Sequence, residues 1–154
     1  MNKRLNVLSI TLAALALSAG SLSAADVDKS IEMRQSYMQL IAFNVGIVGS
    51  MAKGKTEYDS TVALQAANNL DLLSKINYQS MWPEGSSNTD YNHTRAKEKI
   101  WSDAEGFATK HTNFANSAQN LVNLADKGLN NLRVGMKELG GSCGGCHQGY
   151  RTKK

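Results

Sequence analysis

The sequence of 154 residues has little proline and little cysteine, with one proline, Pro83, and two cysteines, Cys143 and Cys146. A disulfide-rich scaffold is excluded, because two cysteines three residues apart would close a loop too small to stabilise a fold much. Sustained alternation of apolar and polar residues is also missing, which argues against a β-sheet domain. What remains is one helical domain with room for one core.

The first 25 residues have the composition of a secretory signal peptide. Lys3 and Arg4 form a positive start, residues 5–17 are apolar and rich in alanine and leucine, and small residues fill positions 23–25. An uncleaved membrane anchor is the alternative, but the apolar run is short for a membrane span. We expect cleavage after Ala25 or Ala24, export to the periplasm and a folded domain of residues 26–154.

The mature chain is expected to be close to neutral. Cleavage removes Lys3 and Arg4 and no acidic residue, so the net charge falls from +4 to +2. The lysines are scattered apart from the basic tail at residues 151–154, and there is no basic stripe of the kind that binds nucleic acids. We therefore expect no nucleic acid partner.

Four segments carry apolar residues at spacings of three and four, which predicts four amphipathic helices. Their predicted bounds are residues 29–53, 59–76, 96–126 and 129–150. Short first and third connections favour an all-α fold, an antiparallel up-down-up-down four-helix bundle. The second connection, residues 77–95, is long and polar, and a connection of this length in a compact domain is usually functional.

A haem attachment motif lies near the end of the fourth predicted helix. Cys143, Cys146 and His147 form the pattern Cys-x-x-Cys-His. Cysteines three residues apart on a helix point to the same side, where two thioether bonds reach the vinyl groups on one edge of a porphyrin. The histidine that follows can then bind the iron. The motif predicts one covalent haem c at one end of the bundle.

Three other interpretations of the motif are weaker. A thioredoxin-like redox pair occurs in a βαβ context, which this sequence lacks. A zinc site needs about four ligands, and Cys143, Cys146 and His147 supply three at most. A plain disulfide between Cys143 and Cys146 would leave a haemless exported bundle, and this hypothesis stays open beside the haem hypotheses.

The second iron ligand has four candidates in this topology. The end of the fourth helix lies beside the start of the first helix and near the long connection, which together hold Met33, Met38, Met81 and His93. Met38 lies on the apolar stripe of the first helix, where a methionine usually fills the core, so both roles stay open. His111, on the stripe of the third helix, is expected farther along the bundle as a hydrogen-bonded core residue.

The sequence as a whole resembles the cytochrome c′ family, the class II c-type cytochromes. Class I cytochromes attach haem near the start of the chain, whereas this motif lies near the C-terminus. The similarity is also carried by the following stretches of the sequence: Arg34-Gln35-Ser36, Lys53-Gly54, Tyr58-Asp59, Ile100-Trp101-Ser102-Asp103-Ala104 and Tyr150-Arg151.

The resemblance implies a role for several residues at the haem. Cys143 and Cys146 match the cysteines that carry the haem, and His147 matches the proximal iron ligand. Arg151 matches a basic residue close to the proximal histidine and the haem edge. Arg34 matches an arginine near the haem propionates.

Met38 falls at the distal position of the family and decides which function the resemblance implies. Members with methionine there resemble a low-spin branch with histidine and methionine on the iron, which transfers electrons. The first expectation is therefore a periplasmic electron carrier, not an enzyme, that exchanges single electrons with periplasmic or membrane-bound redox proteins. Members with a bulky apolar residue resemble a five-coordinate branch, so a scavenger or sensor of nitric oxide or carbon monoxide is the alternative. Family members also often pair as homodimers through their first two helices.

Overall fold

The protein is described by a computed structural model that covers residues 23–153. Its helices are α1 (Ala24–Ala52), α2 (Ser60–Ser74), α3 (Lys99–Ser102), α4 (Ala104–Leu124) and α5 (Leu129–Tyr150), with a 3₁₀ turn at Gln79–Met81. Within the described range, β structure is limited to one isolated bridge between Ala96 and Arg151.

The four long helices form an antiparallel bundle. α1 packs on α2 and α5, and α4 packs on the same two helices. Arg133, early in α5, donates a hydrogen bond to the carbonyl of Ala52 at the end of α1 (2.9 Å). The hydroxyl of Tyr58, just before α2, donates to the carbonyl of Ala125, just after α4 (2.9 Å). The predicted all-α four-helix bundle is confirmed.

The third predicted helix, residues 96–126, is broken in the structure. α3 ends at Ser102 and α4 begins at Ala104, because Asp103 leaves the helical region (φ −134°, ψ 55°). Its carboxylate instead caps α4 by accepting a hydrogen bond from the amide of Gly106 (3.2 Å). Aspartate favours such caps over helix interiors, so the prediction of one continuous helix was wrong.

The start of α1 overlaps the predicted signal segment. Ser23 caps the helix by accepting from the amide of Asp26 (3.3 Å), so positions 23–25 belong to the helix start. The rest of that segment, residues 1–22, lies outside the described residues, and its cleavage stays a prediction. None of the described helices has the length and apolar character needed to cross a membrane.

The apolar core is packed mainly away from the haem attachment motif. Its fully buried members come from all four long helices and include Val48, Ala63, Leu70, Leu121 and Leu132. Each fully buried leucine contributes roughly 1.5–3 kcal/mol relative to an exposed one. At the opposite end a smaller buried cluster of Ala96, Ile100 and Tyr150 packs beside a cleft.

Candidate haem-binding site

The cleft is enclosed by α1, α4, α5 and the connection between α2 and α4. It consists of two adjoining cavities of about 370 and 290 Å³. The residues that line both cavities include Met38, Trp82, Phe107, Cys146 and His147. A broad cleft with apolar walls and a few converging polar groups is typical of a cofactor site.

The two cysteines of the motif face the cleft from the last turns of α5. Cys143 lines the smaller cavity and Cys146 lines both, and both are half-buried free thiols. Burial raises the pKa of each thiol, and the neighbouring Cys143 raises the pKa of Cys146 further against the opposing charges of Lys110 and Arg151. Both cysteines are thus held as neutral thiols on one wall, where each S–H could add across one vinyl group of a haem to give a thioether.

His147 lines both cavities beside the cysteines. Burial lowers the pKa of His147, and the charges of Arg151 and Arg95 lower it further. The ring is therefore neutral at pH 7, which is the form that binds a metal. No group of three or more His, Cys, Asp or Glu side chains among residues 23–153 is placed to hold a metal ion, so the zinc alternative gains no support.

Arg34 is a buried charge at the edge of the larger cavity. Its guanidinium donates hydrogen bonds to the hydroxyl and carbonyl oxygens of Ser86 (2.7 and 2.5 Å) and to the hydroxyl of Thr94 (2.8 Å). It also lies over the ring of Trp82, 4.8 Å from the centroid. Burial lowers the pKa of Arg34 to about 10, so the group stays charged at pH 7. A buried cation with only neutral partners is unfavourable unless an anion joins it.

The long connection between α2 and α4 forms the outer wall of the cleft. Trp82 lines both cavities, and its carbonyl accepts a hydrogen bond from the indole of Trp101 (3.0 Å). Ser86 and Ser87 are buried, and the Ser87 hydroxyl donates to the carboxylate of Asp90 (2.7 Å). The connection therefore wraps the cleft instead of only joining two helices.

Of the four candidates for a second ligand, Met38 lies best placed. It lines both cavities from α1 and is 39% exposed. Met33 is 54% exposed, and neither Met33 nor Met81 lines either cavity. His93 lines the larger cavity, but its Nε2 atom lies 3.3 Å from the carboxylate of Asp28.

His111 lies where the sequence did not predict it. It lines the smaller cavity together with Cys143, and its ring stacks on Tyr78 with centroids 3.9 Å apart. Its Nε2 atom is buried and has no hydrogen-bond partner within residues 23–153. The expectation of a hydrogen-bonded core histidine farther along the bundle was wrong, because the connection folds Tyr78 over the ring and closes it into the cleft.

Several other cleft residues were not predicted from the sequence. Tyr78 and Trp82 come from the connection, and Phe107 and Lys110 come from α4. Phe107, His111 and Phe114 lie on one stripe of α4, and all three line the smaller cavity. His111 is the one polar residue among them, and its position in an apolar stripe was a usable signal for the cleft. The residues of the connection carry no periodic signal.

The family described as cytochrome c′ matches residues 29–151 of this chain. This chain belongs to the cytochrome c′ family. The curated cytochrome c′ of Cereibacter sphaeroides is 36% identical over 148 residues, which cover 96% of this chain and 98% of that protein.

Solved structures of cytochromes c′ share the fold. The cytochrome c′ from Rhodobacter sphaeroides has a TM-score of 0.82 and 33% identity, over 84% of this chain and 99% of that one. A nitric oxide complex of a variant cytochrome c′ from Alcaligenes xylosoxidans has a TM-score of 0.72 and 30% identity, over 84% and 98% of the two chains.

As a cytochrome c′, the protein binds one covalent haem c, and the cleft fits this group. Cys143 and Cys146 offer two free thiols for thioether bonds, and His147 offers a neutral imidazole for the iron. The unpaired charge of Arg34 suits a haem propionate, and the residues lining the cavities include no carboxylate that would compete for it. The apolar walls suit the porphyrin faces.

Proposed function

We propose that this cytochrome c′ binds a small diatomic gas, nitric oxide or carbon monoxide, at its haem. The observation that carries the proposal is the accessibility of the α1 wall, where Met38 is 39% exposed and the neighbouring Ala42 is small and also exposed. A variant of the related cytochrome c′ from Alcaligenes xylosoxidans, of the same fold, is known in complex with nitric oxide. This supports the gas-binding function over electron transfer, the first expectation from the sequence.

The residues of the cleft have distinct roles in this proposal. His147 would hold the haem iron from the α5 wall, and the iron would supply the atom that binds the gas. Met38 and Ala42 border the α1 wall, where a small ligand enters. Trp82 and Phe107 pack 5.2 Å apart between ring centroids and keep water from the porphyrin.

Electron transfer is the second candidate function, and the placement of Met38 favours it. Met38 stands on the α1 wall while His147 stands on the α5 wall of the same cavities. If the thioether of Met38 binds the iron, the pair of histidine and methionine ligands raises the reduction potential and suits a carrier of single electrons.

Absorption spectra of the haem-loaded protein, with and without carbon monoxide, separate the two functions. We expect high-spin ferric bands and a ferrous spectrum that shifts on addition of carbon monoxide, both in the wild type and in Met38→Ala. A low-spin wild type that binds carbon monoxide only after Met38→Ala would contradict gas binding and support the carrier. Met33→Ala is the matched control, because Met33 lies outside both cavities.

Two further properties belong to the proposal. We propose export to the periplasm with removal of residues 1–25, which mass spectrometry would show as a chain of residues 26–154 plus one haem. We also propose a homodimer through α1 and α2, because Leu40, Phe43 and Leu72 on these helices are exposed apolar side chains. Light scattering of wild type and Phe43→Glu would test it, and a monomeric wild type would rule it out.

A further inference from the structure

Two short segments cross at the mouth of the cleft and bring basic residues together. The amide of Lys97 donates to the carbonyl of Tyr150 (3.0 Å), and the amide of Thr152 donates to the carbonyl of Arg95 (2.9 Å). Between these bonds, Ala96 and Arg151 form an antiparallel bridge. We call residues 95–97 and 151–153 the basic strap, because they contain Arg95, Lys97, Arg151 and Lys153.

The basic strap lies on the rim of the haem cleft. Arg95, Ala96 and Arg151 line the larger cavity together with His147. Positive charge is therefore concentrated beside the residue that holds the iron.

The charge of the basic strap is not neutralised within the described chain. The ion pairs of residues 23–153 join Lys75 to Asp71, His93 to Asp28 and Lys99 to Asp103. None of them includes a residue of the strap. The ammonium of Lys97 has a neutral partner, the carbonyl of Gln148 (3.2 Å).

Haem itself does not remove this excess of positive charge. Arg34 and Lys110 also line the cleft, so four cations border it with Arg95 and Arg151, while none of the lining residues is acidic. Two propionates would balance at most two of these cations, and the buried Arg34 is the candidate partner of one of them. Lys97 and Lys153 add two more charges outside the cleft.

The opposite end of the bundle has no comparable excess. The turn before α2 contains Lys53 and Lys55 but also Glu57 and Asp59, and the turn before α5 contains Asp126 beside Lys127. The expected net charge of the mature chain is only +2, so the excess of basic residues in the cleft lining is a local feature. Local fields of this kind guide charged partners to one face of a protein.

We propose that the basic strap docks the acidic face of a redox protein that supplies electrons to the haem. Carbon monoxide binds ferrous haem, so a gas-binding cytochrome needs an electron donor as much as an electron carrier does. In the electron transfer between the two proteins, the reduced centre of the partner loses one electron and the ferric iron gains it, with no bond made or broken. The inference rests on a redox-active haem, which both candidate functions share.

The test compares two double variants of the haem-loaded protein that carry the same change in net charge. Lys97→Glu with Lys153→Glu changes the strap, and Lys55→Glu with Lys127→Glu changes exposed lysines at the opposite end. Reduced plant-type ferredoxin, a strongly acidic protein, serves as the electron donor. Stopped-flow measurements give the rate constant, and calorimetry with oxidised ferredoxin gives complex formation independently of electron transfer.

At an ionic strength of about 0.01 M we expect the strap variant to react at least about tenfold more slowly than wild type and to lose the calorimetric complex. The control variant should stay within about twofold of wild type, since its charges lie far from the cleft. At about 1 M salt the differences should vanish, because screening then acts within a few ångströms.

Three results would overturn the inference. Equal losses in both double variants would mean that net charge alone sets the rate, and an unaffected strap variant would mean that the strap is not the docking site. If the strap variant slows reduction by dithionite, a small anionic donor, and the wild type forms no ferredoxin complex, the strap attracts small anions only. A failure of gas binding would appear separately, in the carbon monoxide spectrum of the wild type.

Discussion

The two ends of the bundle are built on different principles. The closed end, at the turns 53–59 and 125–128, is filled by its own side chains. Leu121 and Leu132 are fully buried, and Gly135 packs so tightly that an added Cβ would lie 2.8 Å from the side chain of Leu121. Tyr58 joins both turns, since its hydroxyl donates to the Ala125 carbonyl and accepts from an amide of the second turn.

The cavity end is incomplete without a cofactor. Arg34 is a buried charge with neutral partners, and the Nε2 atom of His111 has no partner among the described residues. The last part of α5 also contains five glycines, each of which weakens a helix by roughly 1 kcal/mol relative to alanine. The closed end therefore stabilises the chain by itself, whereas the cavity end depends on haem for its packing and charge balance.

The largest expected effect is the loss of haem itself. Replacing Cys143 and Cys146 by alanine should remove one haem from the measured mass of the protein. Hydrogen exchange should then accelerate by at least about tenfold in the last turns of α5, while amides near Leu121 and Leu132 stay protected, because local opening follows local packing. Uniform loss of protection at both ends would contradict the claim that the closed end is stable without haem.

A core truncation should destabilise the closed end without disturbing the haem. Leu132→Ala removes a fully buried side chain and should lower the free energy of unfolding by about 2–5 kcal/mol. Urea unfolding of the haem-loaded protein measures this, and the absorption spectrum should stay unchanged. Val134→Ala is the control, because Val134 on α5 is exposed, lies outside the proposed dimer helices and should change stability by less than about 0.5 kcal/mol.

Arg34 should matter more with haem than without it. Arg34→Met removes a charged partner of the propionates, so it should destabilise the haem-loaded protein by about 1.5–3 kcal/mol more than the haem-free cysteine variant. Urea unfolding of both forms gives the difference. Arg133, an exposed arginine near the closed end, provides the control, because Arg133→Met should affect both forms alike. If Arg34→Met also destabilised both forms equally, the cavity end would not depend on haem for its charge balance.

The hydroxyl of Tyr58 should contribute a smaller amount. Tyr58→Phe breaks two hydrogen bonds to the turn 125–128, one to Ala125 and one to Gly128, and should lower the free energy of unfolding by about 1 kcal/mol. The change should be the same with and without haem. Tyr91→Phe, in the long connection, is the matched control and should lose less.

The sequence predicted the parts of this protein that depend on periodicity and on a local motif. The bundle follows from the spacing of apolar residues, and Cys143, Cys146 and His147 lie on one helix wall because their spacing matches the helix period. The break at Asp103 was missed, since the apolar stripe continues on both sides of it. Ser102-Asp103 ahead of α4 was nevertheless a usable capping signal.

The rest depends on contacts between distant segments. The bridge between Ala96 and Arg151 joins residues that share no pattern, so the basic strap has no signature in the sequence. The burial of His111 likewise depends on the path of the connection that carries Tyr78. Such paths are set by tertiary packing and by buried groups such as Arg34, which hydrogen-bonds to Ser86 in the same connection.

The smallest predicted effect is a pH dependence from His111. Burial lowers the pKa of His111 below its ordinary value of 6.5, so the folded state binds the proton more weakly than the unfolded state. Above pH 6.5 the ring is neutral in both states and the free energy of unfolding is not reduced by His111. As the pH falls from 6.5 through the lowered pKa of the folded state, the unfolded state binds the proton first, and the free energy of unfolding decreases. His111→Phe keeps a ring against Tyr78, and its free energy of unfolding should therefore fall less than that of the wild type between pH 7 and pH 5.

Urea unfolding at several pH values measures this, with His93→Phe as the exposed control. Equal slopes for wild type and His111→Phe would mean that bound haem already relieves His111, and the contrast between the two ends would then hold for the haem-free chain alone.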